Sequence, residues 1–179
     1  MNIKITGFLV VFFLFISMPF SLHAQDEANS ETAIKDAMNL SNEGKYNEAI
    51  EKLQLIISQQ SGVQGLSAHE HLGFIYFKTK QYPYAISEFE QSIAINKDAA
   101  MAYYYLGLIY EAKAINEKNL PTGHDLLKKA LQDWEEFLRS SDLPGEITGS
   151  HNNMGVTPAD KQKFAKRHIR MIKEELENE

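Results

Sequence analysis

The sequence predicts an all-α fold built from stacked helix pairs, and three observations predict it. Leu72-Gly73-Phe74-Ile75-Tyr76 recurs thirty-four residues later as Leu106-Gly107-Leu108-Ile109-Tyr110, each opening an apolar-periodic segment. Gly44-Lys45-Tyr46-Asn47-Glu48-Ala49 is matched by Lys80-Gln81-Tyr82-Pro83-Tyr84-Ala85, with Leu53 and Phe89 four residues beyond each Ala. Near the C-terminus, Thr157-Pro158-Ala159-Asp160 carries a helix cap and opens a segment whose Phe164, Ile169, Ile172 and Leu176 fall close to one stripe. Self-similarity at a fixed spacing of this size marks an array in which one helix pair cannot bury its own apolar face and stacks on the next.

Taken in order, the elements resolve into three units. The first, residues 30–65, keeps Gly44, Tyr46, Ala49 and Leu53, with Ala37 and Leu40 at its less regular positions. The second, residues 66–99, carries Leu72, Gly73, Tyr76, Ala85, Phe89 and Ser92. The third, residues 100–143, carries Tyr103, Leu106, Gly107 and Tyr110, then Ala130, Trp134 and Phe137. The glycines let two helices approach closely, and the aromatic three positions on lies one turn along the same face. This pattern resembles the tetratricopeptide repeat, strongest in the second unit. The resemblance implies a right-handed α-solenoid of about three helix pairs plus a C-terminal capping helix. It further implies a protein-binding scaffold, because such arrays present a groove and not a reactive centre.

Two departures stand out. Lys80 takes the turn position held by Gly44, so that turn either avoids a positive φ or carries strain. About eleven extra residues separate the helices of the third unit, around 113–125. Pro121 cannot continue a helix, and Thr122 with Asp125 reads as a capping box starting the next one. The extra length is expected to lengthen a helix and its turn; the functional alternative is a contact element, since insertions in repeat arrays often map to the binding side. Beyond the third unit, residues 144–156 are rich in Gly, Ser and Asn and predict a loop. Residues 157–179 then predict the capping helix, with Lys161, Lys163, Lys166, Arg167, Arg170 and Lys173 on its wet face.

The N-terminal residues 1–24 predict a secretory signal peptide: Lys4, an unbroken apolar run from Phe8 to Ile16, then Leu22-His23-Ala24 before a polar stretch at 25–29. The apolar run is shorter than the ~18–20 residues that cross a bilayer. Cleavage after Ala24 is expected, with retention as an anchor the alternative, and the periplasm is the expected destination. Without residues 1–24 the balance of 18 basic against 24 acidic becomes 17 against 24, or −7. That sign argues against nucleic acid and anionic membrane surfaces as partners. With no cysteine there is no disulfide and no lipidated cysteine, so the core alone must hold the fold.

No pattern of catalysis or cofactor binding emerges, and the expectation is a non-enzyme with no cofactor and no metal. His69 and His71, two apart on a helix, point about 200° from each other and cannot chelate one ion. The remaining expectations come from the family resemblance. Tyr76, Phe89, Tyr103, Tyr110, Trp134 and Phe137 occupy positions buried between helices. Ile34 and Met38, then Glu70, Phe74, Phe77 and Lys78, then Met101, Tyr104, Leu108 and Glu111 occupy positions that line the concave groove. The Lys, Asn and Arg clamp that one subgroup uses for acidic C-termini is missing: Ile34, Met38, His71, Met101 and Tyr105 stand at those positions. The expected partner is a protein or peptide with apolar or aromatic anchors, oriented by Lys78 and Glu111. The alternatives are that the groove binds another copy, that the C-terminal segment folds back over it, and, from a different class, a small enzyme or ligand carrier near the third-unit insertion.

Overall fold

A computed structural model describes residues 29–59, 62–142 and 157–178. The signal peptide expected at residues 1–24 and the loop expected at 144–156 lie outside these.

Seven α-helices and no strand occur among the described residues. They are α1 (29–42), α2 (Tyr46–Gln59), α3 (Val63–Lys78), α4 (Tyr82–Ile95), α5 (Ala100–Asn116), α6 (Leu120–Ser141) and α7 (Pro158–Glu177). Links of three or four residues join each helix to the next from α1 to α6, which forces neighbours to run back against each other. Each helix packs on its successor, and α3 also touches α5 across the boundary between pairs. The result is the stacked helix-pair array that the repeats predict.

The core is continuous but falls into three layers. Ile34 and Ala37 of α1 meet Ala49, Leu53 and Ile56 of α2 and Leu72 and Ile75 of α3. Phe89 of α4 joins Tyr105, Leu106 and Ile109 of α5, and Trp134 and Phe137 of α6 join Ala165 and Ile172 of α7. The repeated glycines explain how two of these layers close. A Cβ on Gly73 would come within 2.8 Å of the Phe89 ring, and one on Gly107 within 2.7 Å of the Trp134 indole. The flat ring of each second helix thus lies directly on the bare backbone of its partner.

Phe89, Trp134 and Phe137 are fully buried. Tyr76, Tyr103 and Tyr110, assigned to the core on family grounds, are only half-buried, because each ring emerges at the edge of its pair. Tyr76 packs on Tyr84, and Tyr103 reaches the Lys97 carbonyl with its hydroxyl. Phenol groups tolerate this placement because the ring stays dry while the hydroxyl finds a polar neighbour.

The two departures are both resolved in the helices. Lys80 adopts φ 59°, the left-handed conformation that Gly44 adopts at φ 80°, so this turn is made with strain. The extra residues of the third unit lengthen α6 to 22 residues against 14 for α4, while the turn at 117–119 stays short. Helix α6 starts earlier than Thr122: Asn119 is its cap, its side chain accepting from the Thr122 amide, and Pro121 sits in the first turn where no amide is needed.

Candidate binding surface

The first helices α1, α3 and α5 carry the residues predicted to line the groove, and the structure divides them into two groups. In α3, Phe74 and Phe77 are half-buried, side by side, and both pack on Tyr105 of α5 with ring centroids 5.4 and 5.2 Å away. Lys78, exposed, holds its ammonium 5.6 Å from the Phe74 ring centre and 5.5 Å from that of Tyr46. A cation over two aromatic faces is attracted by their ring quadrupoles and tethers α3 to the start of α2. Met38 of α1, packed on the first core layer, and Glu70 of α3 are also half-buried. Ile34, by contrast, is buried in the first core layer.

The α5 residues have a different fate. Helix α7 lies against α5 and α6, where the first helix of a fourth pair would sit. Tyr104 is enclosed by Trp134, Phe137 and Phe164, with ring centroids 5.4, 5.2 and 6.3 Å away. Leu108 packs into the same layer. Glu111 meets His168 of α7, whose Nδ1 lies 2.7 Å from Oε2 and 2.9 Å from Oε1. Met101 is buried and receives Lys161, whose Nζ stands 3.5 Å from Sδ and 5.6 Å from the Tyr104 ring centre. Of the groove residues expected on α5, Met101 is buried and so does not line an open surface, while Tyr104, Leu108 and Glu111 are half-buried: Tyr104 and Glu111 touch α7, and Tyr104 and Leu108 also pack with Phe74 and Phe77 against the second core layer.

The sequence fits α7 for this seat. Thr157 caps it by accepting from the Asp160 amide, while the Asp160 carboxylate accepts from the Thr157 amide. Ala165 and Ile172 then fall on the inner side, with Phe164 stacked on His168 at 3.9 Å between centroids. Gln162 reaches Ser141 and Asp142, and Lys173 reaches Glu135, pinning both ends to α6. The Glu111–His168 contact joins residues 57 apart, which no local pattern signals. Lys161 was read as part of a wet face, yet it is buried, and burial lowers its pKa.

Two further polar groups sit in low-dielectric surroundings. His71 is buried, and desolvation pulls its pKa down to about 4, so it packs as a neutral ring. Asp133 of α6 is pushed up to about 7 by burial first and by the nearby Glu90 second, against an opposing pull from Lys129. His69 is engaged across the second pair, its Nδ1 2.7 Å from Glu88 Oε2. Among the described residues no cluster of three or more His, Asp or Glu could hold a metal ion. Nor is any described helix long and apolar enough to cross a membrane. At the α5–α6 turn Ile115 and Leu120 are exposed.

No family model matches the chain. It is 29% identical over 96 residues to the Homo sapiens protein named tetratricopeptide repeat protein 13, a match covering 54% of this chain and 10% of that protein. The chain thus spans about a tenth of the length of this curated relative. Among solved structures it is similar to a crystal structure of MamA, at 20% identity and TM-score 0.46, over 88% of this chain and 84% of that one. A second, residues 41 to the end of MamA from Desulfovibrio magneticus RS-1, is 23% identical at TM-score 0.46, over 81% and 74% respectively.

Proposed function

We propose that this array of tetratricopeptide-type helix pairs is an exported, non-catalytic scaffold that binds a protein or peptide through the concave side of its first two pairs. The observation that carries the reading is the half-buried Phe74–Phe77 pair, with the ammonium of the exposed Lys78 over the Phe74 ring. Two rings fixed by Tyr105 form a firm apolar floor, and Lys78 and Glu70 supply opposite charges to orient what docks on it. A rigid aromatic floor loses little conformational entropy on binding, which favours an apolar or aromatic anchor in the partner. An anchor buried at an interface centre typically contributes ~2 kcal/mol or more.

Support for export is the order of features in residues 1–24 and the lack of cysteine, which together fit a bacterial periplasmic protein held by its core. Intact-mass measurement of natively expressed protein should find an N-terminus near Gln25; retention of Met1 or Asn2 would replace export with anchoring. The binding reading is tested by selecting peptides from a random library against the full chain. Selected peptides should lose at least tenfold in affinity on Met38→Glu with Lys78→Glu and be unaffected by Leu55→Glu, whose side chain is 57% exposed on α2. Equal sensitivity to both changes would place the binding surface elsewhere.

A further inference from the structure

The outer face of α7 is unlike the rest of this acidic protein. Successive residues of a helix turn by about 100°, which puts Arg167, Arg170, Glu174 and Glu177 within one narrow stripe opposite the buried Ala165 and Ile172. All four are exposed, and among the described residues none of them is held in an ion pair, although Arg167 lies over the Phe164 ring. Some cations do find carboxylates, as when Arg139 contacts Asp98 and Glu136, Lys173 contacts Glu135, and Lys45 contacts Glu43; what sets the stripe apart is its order, two arginines followed by two glutamates on one exposed face. Between the basic and acidic halves of the stripe stands Met171, 54% exposed.

We propose that this stripe is a self-complementary interface, and that its partner is the α7 helix of a second copy lying antiparallel to it. A two-fold axis at the level of Ile172 brings residue 170 level with residue 174 of the other copy, and 167 level with 177. Arg170 then meets Glu174 and Arg167 meets Glu177, each pair made twice by symmetry, while the two Met171 side chains meet beside the axis. A parallel arrangement would set like charge against like, so the charge order itself selects the antiparallel one. Lys163 and Lys166 extend the basic half toward the helix start, where they border a recess of about 460 Å³ with Asp160 and Phe164.

The contact is small. About ten residues on each side span ~15 Å of helix at 1.5 Å per residue. That is well below the ~1,200 Å² of a standard stable interface, so the association is transient, concentration-dependent and weakened by salt. It uses a surface separate from the groove of the first two pairs and does not depend on that reading.

The test is a charge exchange on the full chain. Arg167→Glu with Arg170→Glu makes an all-acidic stripe, and Glu174→Arg with Glu177→Arg makes an all-basic one. Association is measured by sedimentation of wild type, each variant and their equimolar mixture, at low and at physiological salt. Any association through residues 1–28 is common to all four samples, and circular dichroism checks that these exposed changes leave the helices intact. The wild type should self-associate at low salt, each variant alone should do so at least tenfold more weakly, and the mixture should recover. Variants that associate like the wild type would overturn the proposal. So would a wild type that stays monomeric at low salt, or a mixture that fails to recover; in those cases an acidic segment of another protein becomes the candidate for the basic half.

Discussion

Individual residues set the tolerances of this molecule. Gly73 and Gly107 are needed because an added methyl would stand 2.8 and 2.7 Å from ring atoms that are themselves fully enclosed. Gly107→Ala should therefore cost about 1–3 kcal/mol, the range for overpacking a filled core. Lys80 offers the converse. Its φ of 59° is a strained conformation for a residue with a Cβ, so Lys80→Gly should stabilise by up to about 1 kcal/mol in denaturant titration, despite the extra freedom glycine gives the unfolded chain.

Asp133 carries a pH signature. Its pKa rises from 3.8 to about 7 on folding, so between those values the folded state holds a proton that the unfolded state has released. Its contribution to stability is complete below pH ~3.8 and is lost as pH climbs through ~7. Asp133→Asn should accordingly gain on the wild type from pH 5 to pH 8 in matched thermal melts. A gain that shrinks over that interval would contradict the assigned environment. His71 works with the opposite sign, since its pKa falls to about 4 and acid favours the unfolded chain. The pH dependence of the wild type is thus a difference of two effects, and the Asn variant isolates one.

At the scale of elements, local pattern and long-range packing separate cleanly. The pairs α3–α4 and α5–α6 were legible because Leu72-Gly73 and Leu106-Gly107 repeat, with Phe89 and Trp134 each four residues beyond an alanine, Ala85 and Ala130, in the second helices. The cap of α6 was misread by three residues because Thr122 and Asp125 imitate a capping box, while Asn119 makes the bond. The amphipathic stripe of α7 predicts a capping helix, and it does pack on the last pair, but the individual residues it meets could not be read from the stripe. Its seat depended on Glu111 finding His168 and Met101 finding Lys161, contacts between segments 57 and 60 residues apart.

Those contacts reverse one expectation about stability. Phe89→Ala should cost about 3–5 kcal/mol, as other large core truncations do. Tyr104, read from sequence as groove, is packed by three aromatic rings, and Tyr104→Ala should also lower the melting temperature and loosen α7. Amide exchange would register this as faster exchange along α7 with α3 and α4 unchanged. If Tyr104→Ala left both the melting temperature and α7 exchange untouched, the helix would not be seated as described.

For the whole molecule, one repeated unit yields two kinds of surface because α7 packs on the last pair. Phe74 and Phe77 of α3 stay half-buried, while α7 packs on α6 and touches α5 through Tyr104 and Glu111. In the proposed function, binding belongs to the α1–α3 region and α7 covers the end of α5. A photo-crosslinking residue placed singly at Lys78 and at Leu108 tests this most directly, with a library-selected peptide as the probe. A covalent adduct should form from position 78 and none from position 108 while α7 stays folded. Strong capture at 108 with none at 78 would contradict it, showing that the ligand displaces α7 and takes its seat.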